Sequence, residues 1–202
     1  HILFDGWSLG ILLQDLGRLY TAHLDNELPR LPAAVQYFQY ANEQFRFQQT
    51  EEYKQTKAFW VNQFRDEVPV FDFPTDFPRP ATRTYQSRRN DYPIDPALAA
   101  KLKQVGAKNG SSFITTLIAA FEVFLYKISG QKDIIFGLPT AGQSVTGHTF
   151  LIGHCVNMLP IRSRPDPSLP FADYLKKRKS AILDCYEHQK NTFWRLIKEQ
   201  NI

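Results

Sequence analysis

The chain of 202 residues is 43% hydrophobic, 14% aromatic and 22% charged, which is enough apolar material for one large domain or two lobes with a real core. No apolar run approaches a membrane span, and no basic stretch followed by an apolar segment marks a signal peptide. A net charge of +4 and a pI near 9.0 are mild, and with no recognition motif they give no argument for nucleic-acid binding.

The chain opens His1-Ile2-Leu3-Phe4-Asp5-Gly6-Trp7-Ser8. The apolar run puts backbone in a core, so the flanking His1 and Asp5 sit at its edge. A histidine there can move a proton near neutral pH. A buried aspartate there must be paired. Gly6 allows a turn or a close backbone approach. On these residues alone a structural and a catalytic reading both stand, and the structural one is the commoner for so short a pattern. From Trp7 to about Asn26 the pattern is helical, with Ser8 as the expected N-cap and an apolar stripe of Ile11, Leu12, Leu16, Leu19 and Tyr20. The positive end of that helix would point back toward the motif.

Residues 33–49 are expected to be helical, with Tyr37, Tyr40, Ala41 and Phe45 on one face. Thr50 should cap a helix over 51–64, with Tyr53, Trp60 and Phe64 as its buried stripe. Pro69, Pro74, Pro78 and Pro80 then make residues 68–83 an extended connector, held to a surface by Phe71, Phe73 and Phe77. Tyr85 to Tyr92 reads as a strand. Asp95 followed by Pro96 starts a helix that stops near Gly110. Ser112 opens another, whose wide stripe (Ile114, Leu117, Ile118, Phe121, Phe124, Leu125, Ile128) predicts deep burial as far as Gly130.

Asp133 to Leu138 is a short apolar run fit for a buried strand, and Pro139 and Gly142 begin a loop lasting to Gly147 or beyond. Val156 to Arg164 is a second strand, pushed toward an edge by Pro160. Phe171 to about His188 is a helix with Tyr174, Leu175, Ile182, Leu183 and Tyr186 buried, and its Lys176-Lys177-Arg178-Lys179 run reads as a solvated face. A final helix starts at Thr192. Cys155 and Cys185 are expected as reduced thiols, with no zinc-like spacing.

Several stretches together resemble the condensation domains of non-ribosomal peptide synthetases. His1-Ile2-Leu3-Phe4-Asp5-Gly6 resembles the family's His-His-x-x-x-Asp-Gly core, entered at its second histidine. Tyr37-Phe38-Gln39-Tyr40-Ala41 resembles its Tyr-x-x-Tyr/Phe-Ala motif, and residues 73–80 resemble its Leu-Pro-Thr-Asp-x-Pro-Arg-Pro connector. Residues 152–162 resemble Ile-Gly-x-Phe-Val-Asn-x-Leu-Pro-x-Arg, with His154-Cys155 in place of x-Phe. Residues 188–193 resemble His-Gln-Asp-Tyr-Pro-Phe, with Lys190, Asn191 and Thr192 at the middle positions. Each motif is weak alone; together, in order and spread over nearly the whole chain, they are specific. The Gly153-to-Asn157 and Thr140-Ala141-Gly142-Gln143-Ser144 variants further resemble the subgroup found in mixed polyketide–peptide assembly lines.

The resemblance implies an α/β fold, the chloramphenicol-acetyltransferase-like two-lobe condensation fold, carried here as an incomplete copy. Residues 1–68 would be the C-terminal part of the N-lobe with the His motif, 69–82 the Pro-rich connector, and 83–202 most of the C-lobe. The implied reaction is amide bond formation between a carrier-bound acyl or peptidyl thioester and a carrier-bound aminoacyl acceptor, in cytoplasmic natural-product biosynthesis. The implied partners are upstream donor and downstream acceptor carrier domains and an adjacent adenylation domain. Substrates would ride on the phosphopantetheine of the carriers, with no cofactor or metal bound directly and no nucleic acid or membrane as partner. His1 would be the catalytic residue, taking the proton of the attacking ammonium or orienting the amine. Asp5, Gly6 and Trp7 would shape the site, Asp5 through the arginine that the family pairs with this aspartate. Asn157 and His188 are candidates at or behind the channel wall, with strand bracing the competing reading for Asn157. An inactive docking module, or another thioester- or CoA-dependent acyltransferase, are the alternatives. The 202 residues alone are expected to form no amide.

Overall fold

Asp5 starts the first helix. Its carboxylate accepts the Ser8 N–H at 3.0 Å, so Asp5 is the N-cap and the helix α1 runs Gly6–Leu24. The expected cap, Ser8, is therefore the third residue of the helix and not the residue before it. The computed structural model describes residues 2–78, 80–82, 84–191 and 193–200; His1 and Thr192, on which two of the expectations rest, lie outside the described residues.

The remaining elements follow in order: α2 (Tyr37–Phe47), α3 (Glu51–Gln63), α4 (Pro96–Lys108), α5 (Phe113–Ser129), β1 (Ile134–Ala141), α6 (Gly142–Thr146), β2 (Val156–Ser163), α7 (Phe171–Glu187) and α8 (Phe193–Gln200). Local chemistry sets their ends. The Thr50 hydroxyl accepts the Tyr53 N–H at 3.2 Å, Asp95 the Leu98 N–H at 2.9 Å, and Ser112 the Thr115 N–H at 3.1 Å. Gly130, at φ 70°, closes α5 in the left-handed region that favours glycine. β1 and β2 pair in a two-stranded sheet, and α6 occupies part of the expected loop between them. The strand expected over 85–92 does not form. Among the described residues this segment joins no sheet, and Tyr85 and Tyr92 are more than four-fifths exposed.

Contacts group the chain into two compact units. The first holds His1–Asp66, Gly137–Pro160 and Glu187–Ile202; the second holds Glu67–Phe136 and Ile161–Tyr186. This grouping cuts the chain differently from a linear division at 68 and 83, because 137–160 and 187–202 pack with the N-terminal segment.

In the first unit Ile11, Trp60, Phe64, Leu151, Leu159 and Leu196 are buried, and α3 packs on α8. Only Ile11 of the α1 stripe is buried; Leu12, Leu16, Leu19 and Tyr20 are 40–63% exposed. In the second unit α4 packs on α5, and Ala119, Tyr174 and Leu175 form a core with Val105, Val123 and Phe171 against it. Burial along α5 is narrower than its stripe predicts: Ile118, Ala119 and Leu125 are covered, while Ile114, Phe121 and Phe124 are about half exposed. The basic run on α7 is not a uniform solvated face either. Arg178 is buried against Glu122, an acidic partner on a different helix. The described residues of the proline-rich connector form no helix or strand, but Gln131 grips it. Its amide donates to Val70 O at 2.9 Å and accepts the Asp72 N–H at 2.9 Å.

Cys155 and Cys185 are free, buried thiols, one in each unit. No single helix among the described residues is long and apolar enough to cross a membrane.

Candidate active site

The opening motif meets the segment before β2 in the interior of the first unit. Asp5 is 2% exposed, and four donor groups converge on its carboxylate. Oδ1 accepts the Ser8 N–H at 3.0 Å, and Oδ2 accepts the Cys155 N–H at 2.9 Å. Gln143 Nε2 reaches both oxygens, at 3.2 and 3.1 Å. Ser8 Oγ lies 2.9 Å from Asp5 Oδ1 and also 2.9 Å from Gly153 O, so its single proton serves one or the other, while it accepts the Gly153 N–H at 3.0 Å. Residues 150 apart in the chain are thus tied by one carboxylate.

Burial pushes the Asp5 carboxyl up. The N–H groups of Ser8 and Cys155, the Gln143 amide and the Ser8 hydroxyl outweigh it and leave the group below its ordinary value. The aspartate is therefore ionised at neutral pH. Among the described residues no lysine or arginine is bonded to Asp5, and Gln143 is the side-chain amide in contact with it. Nothing in the chain's periodicity points to Gln143. Its signals are its place in the 140–144 stretch that resembles a family subgroup, and a polar amide just after an apolar strand among small residues.

The negative charge of Asp5 is felt by its neighbours. Burial first, then Asp5, pushes the Cys155 thiol up to about 11. Burial raises Tyr37 and Tyr40 as well, with the Cys155 and Asp5 charges adding to it. All three stay protonated at neutral pH. The Tyr37 hydroxyl donates to His154 O at 3.1 Å. These tyrosines, Cys155, Asn157 and Lys190 line a cavity of about 180 Å³.

In this site the close approaches occur at two glycines other than Gly6. A Cβ on Gly142 would collide with the Cys155 carbonyl oxygen, and one on Gly153 with the Tyr37 ring. A Cβ on Gly6 would meet nothing within 4 Å among the described residues. Trp7 is anchored through its indole N–H, which donates to Thr149 O at 3.0 Å, and its ring is 40% exposed.

Asn157 and His188 lie apart from the Asp5 network. Asn157 Nδ2 donates to Gln189 O at 2.8 Å and Asn191 O at 2.9 Å, and Oδ1 accepts the N–H groups of Met158 and Phe193 at 2.9 and 3.2 Å. All of its amide capacity is used to brace the 189–193 turn and the start of α8. The His188 ring stacks on Phe59 with centroids 4.2 Å apart, and its Nδ1 is 3.3 Å from Thr56 Oγ1. Its carbonyl accepts the Trp60 indole N–H at 2.8 Å. Both residues tie the end of the first unit to its own elements. Among the described residues no cluster of His, Cys, Asp and Glu is placed to hold a metal.

The condensation domain family model matches residues 1–202. The chain is 36% identical over 202 residues to bacitracin synthase 3 of Bacillus licheniformis, covering 100% of this chain and 3% of that protein. It is 38% identical over 189 residues to tyrocidine synthase 3 of Brevibacillus parabrevis, covering 94% of this chain and 3% of that one. Its fold is similar to the first condensation domain of the calcium-dependent antibiotic synthetase, with a TM-score of 0.83 at 21% identity, covering 98% of this chain and 43% of that chain. The architecture is thus the mixed α/β condensation fold, of which this chain spans less than half of the solved example. The chain belongs to the condensation domain family. It spans only a few per cent of the length of the two synthases above.

Proposed function

We propose that this chain is part of an acyltransferase that forms an amide bond between a carrier-bound acyl or peptidyl thioester and the amine of a carrier-bound aminoacyl thioester. The observation that carries the reading is the direct bonding of Asp5 and Ser8 to the 153–155 segment, since both stretches resemble motifs of the family whose model matches the chain. The amine nitrogen attacks the thioester carbonyl carbon, the carbon–sulfur bond breaks, and the pantetheine thiol leaves with a proton. A thioester is already activated, so positioning and proton removal are the main demands on the protein.

His1 is assigned the proton transfer or the orientation of the amine. Asp5, through its cap on α1 and its grip on the 153–155 segment, holds the backbone that follows His1. Gly6 leaves its face of α1 bare, and Trp7 anchors the first turn of that helix. Asn157 and His188 are assigned bracing roles behind the site, which their spent hydrogen-bonding capacity and aromatic packing favour. Residues 1–68 are assigned to the end of the N-lobe, 69–82 to the connector and 83–202 to the C-lobe. Donor and acceptor carrier domains, bearing their substrates on phosphopantetheine, and an adenylation domain of the same cytoplasmic synthetase are the proposed partners.

The test is His1→Ala in the full-length protein, assayed with carrier-bound donor and acceptor. A loss of amide formation on the order of 10²-fold or more supports the reading. Undiminished product removes His1 from catalysis. A wild-type protein that transfers from acyl-CoA but not from a carrier would place the chain in another acyltransferase class.

A further inference from the structure

We propose that Gln143 is the positioning residue of this site: its side-chain amide, a neutral donor, holds the ionised Asp5 in the buried junction between α1 and the 153–155 segment. Gln143 is fully buried, and its Nε2 reaches both Asp5 oxygens and lies 3.4 Å from Gly153 O. One nitrogen therefore links the carboxylate of the opening motif to the backbone of the distant one. Its Oε1 is buried with no partner among the described residues. An orphaned acceptor is costly, so the amide occupies this position for its donor end.

A buried carboxylate is ordinarily matched by a cation. Here the titratable groups facing Asp5 are Tyr37 and Tyr40 from α2 and Cys155 from the segment before β2, all neutral at neutral pH, with His154 on the same cavity. Ser8 from α1 and Gln143 from α6 bring only neutral donors. Lys190 and Arg195 line the adjoining cavity, but among the described residues no cation is bonded to Asp5, and its hydrogen bonds all come from neutral donors. A second carboxylate in the place of Gln143 would have to share one proton with Asp5, and the pair would repel once that proton is lost.

The catalytic consequence rests on the amide-forming reading; the junction itself does not. The experiment compares Gln143→Glu and Gln143→Met in the full-length protein. Its local readout is hydrogen exchange over residues 151–158, each variant measured against wild type at the same pH. Gln143→Glu is expected to protect this segment at low pH and to lose protection as pH rises through the shared-proton range. Gln143→Met is expected to lose it at every pH. The exchanged pair Asp5→Asn with Gln143→Glu restores one carboxylate and one amide, and should remove the pH dependence.

Amide formation should follow the same pattern in kcat, falling up to tenfold per pH unit in Gln143→Glu, with KM little changed. Equal, pH-independent exchange in Gln143→Glu and Gln143→Met would overturn the proposal, whether or not the exchanged pair folds. If wild type makes no amide from carrier-bound substrates, the amide-forming reading fails while the exchange data still decide the role of Gln143.

Discussion

Glu122 accepts two hydrogen bonds from Arg178, Nε–H and Nη2–H, both at 2.7 Å, with the carboxylate fully buried and the guanidinium 8% exposed. The Tyr174 hydroxyl donates to the same carboxylate at 2.6 Å, and Ser163 Oγ lies 2.9 Å from that hydroxyl. Burial, then the Glu122 charge, raises the Tyr174 phenol, so it stays a donor at any working pH. Arg178→Ala would leave an unpaired buried carboxylate and should destabilise the second unit by about 3–5 kcal/mol. Replacing both partners by methionine should cost much less, because no charge is stranded. Denaturant unfolding of the two variants against wild type measures the difference; equal losses would show that the pair acts only by packing.

Acid should weaken the first unit through Asp5. Its folded carboxyl lies below the ordinary value of 3.8, so its contribution is complete above the unfolded pKa and is lost as pH falls through the folded one. Asp5→Asn should therefore be less stable than wild type at pH 7, and the gap should close as pH drops below about 4. Unfolding midpoints at a series of pH values check this. A gap that stays constant would mean the charge of Asp5 contributes nothing.

Both thiols should be inert in the native protein. Burial pushes Cys155 and Cys185 up to about 11. At pH 8 the thiolate fraction alone slows alkylation by about two orders of magnitude relative to a free cysteine, before access is counted. Mass spectrometry after timed iodoacetamide treatment should find neither labelled until denaturant is added.

Asn157→Ala should loosen the 189–193 turn. It removes four hydrogen bonds and leaves the N–H of Phe193 and the carbonyls of Gln189 and Asn191 in need of new partners. A loss of about 1–3 kcal/mol is expected. Proteolysis near residue 190 should accelerate, while the Asp5 junction keeps its hydrogen-exchange protection. Loss of protection at residues 151–158 would show that the two networks are coupled.

The parts of the fold that are legible in sequence are those set by neighbouring residues. Thr50, Asp95, Ser112 and Gly130 act within a turn of themselves: the first three start helices and Gly130 ends one, as their chemistry requires. Ser8 misleads as a cap for an equally local reason: Asp5, three residues earlier, presents a stronger acceptor to the Ser8 N–H. What depends on distance is not legible. Residues 85–92 have the composition of a strand but join no sheet among the described residues, and a strand's partner cannot be read from the segment itself. Arg178 sits in a basic run, and only the folded chain shows Glu122, 56 residues away, beside it. The need for a partner at Asp5 follows from burial, but its identity does not. Gln143 lies 138 residues on, in a stretch with no periodicity to mark it.

Gln131 holds the connector through main-chain atoms only, the carbonyl of residue 70 and the amide of residue 72. The side chains of Val70 and Asp72 are exposed and take no part in this grip. The attachment is thus indifferent to which residues occupy those two positions, provided that position 72 is not proline. Sequence drift there leaves the anchorage intact, whereas the glutamine that makes it has no such latitude.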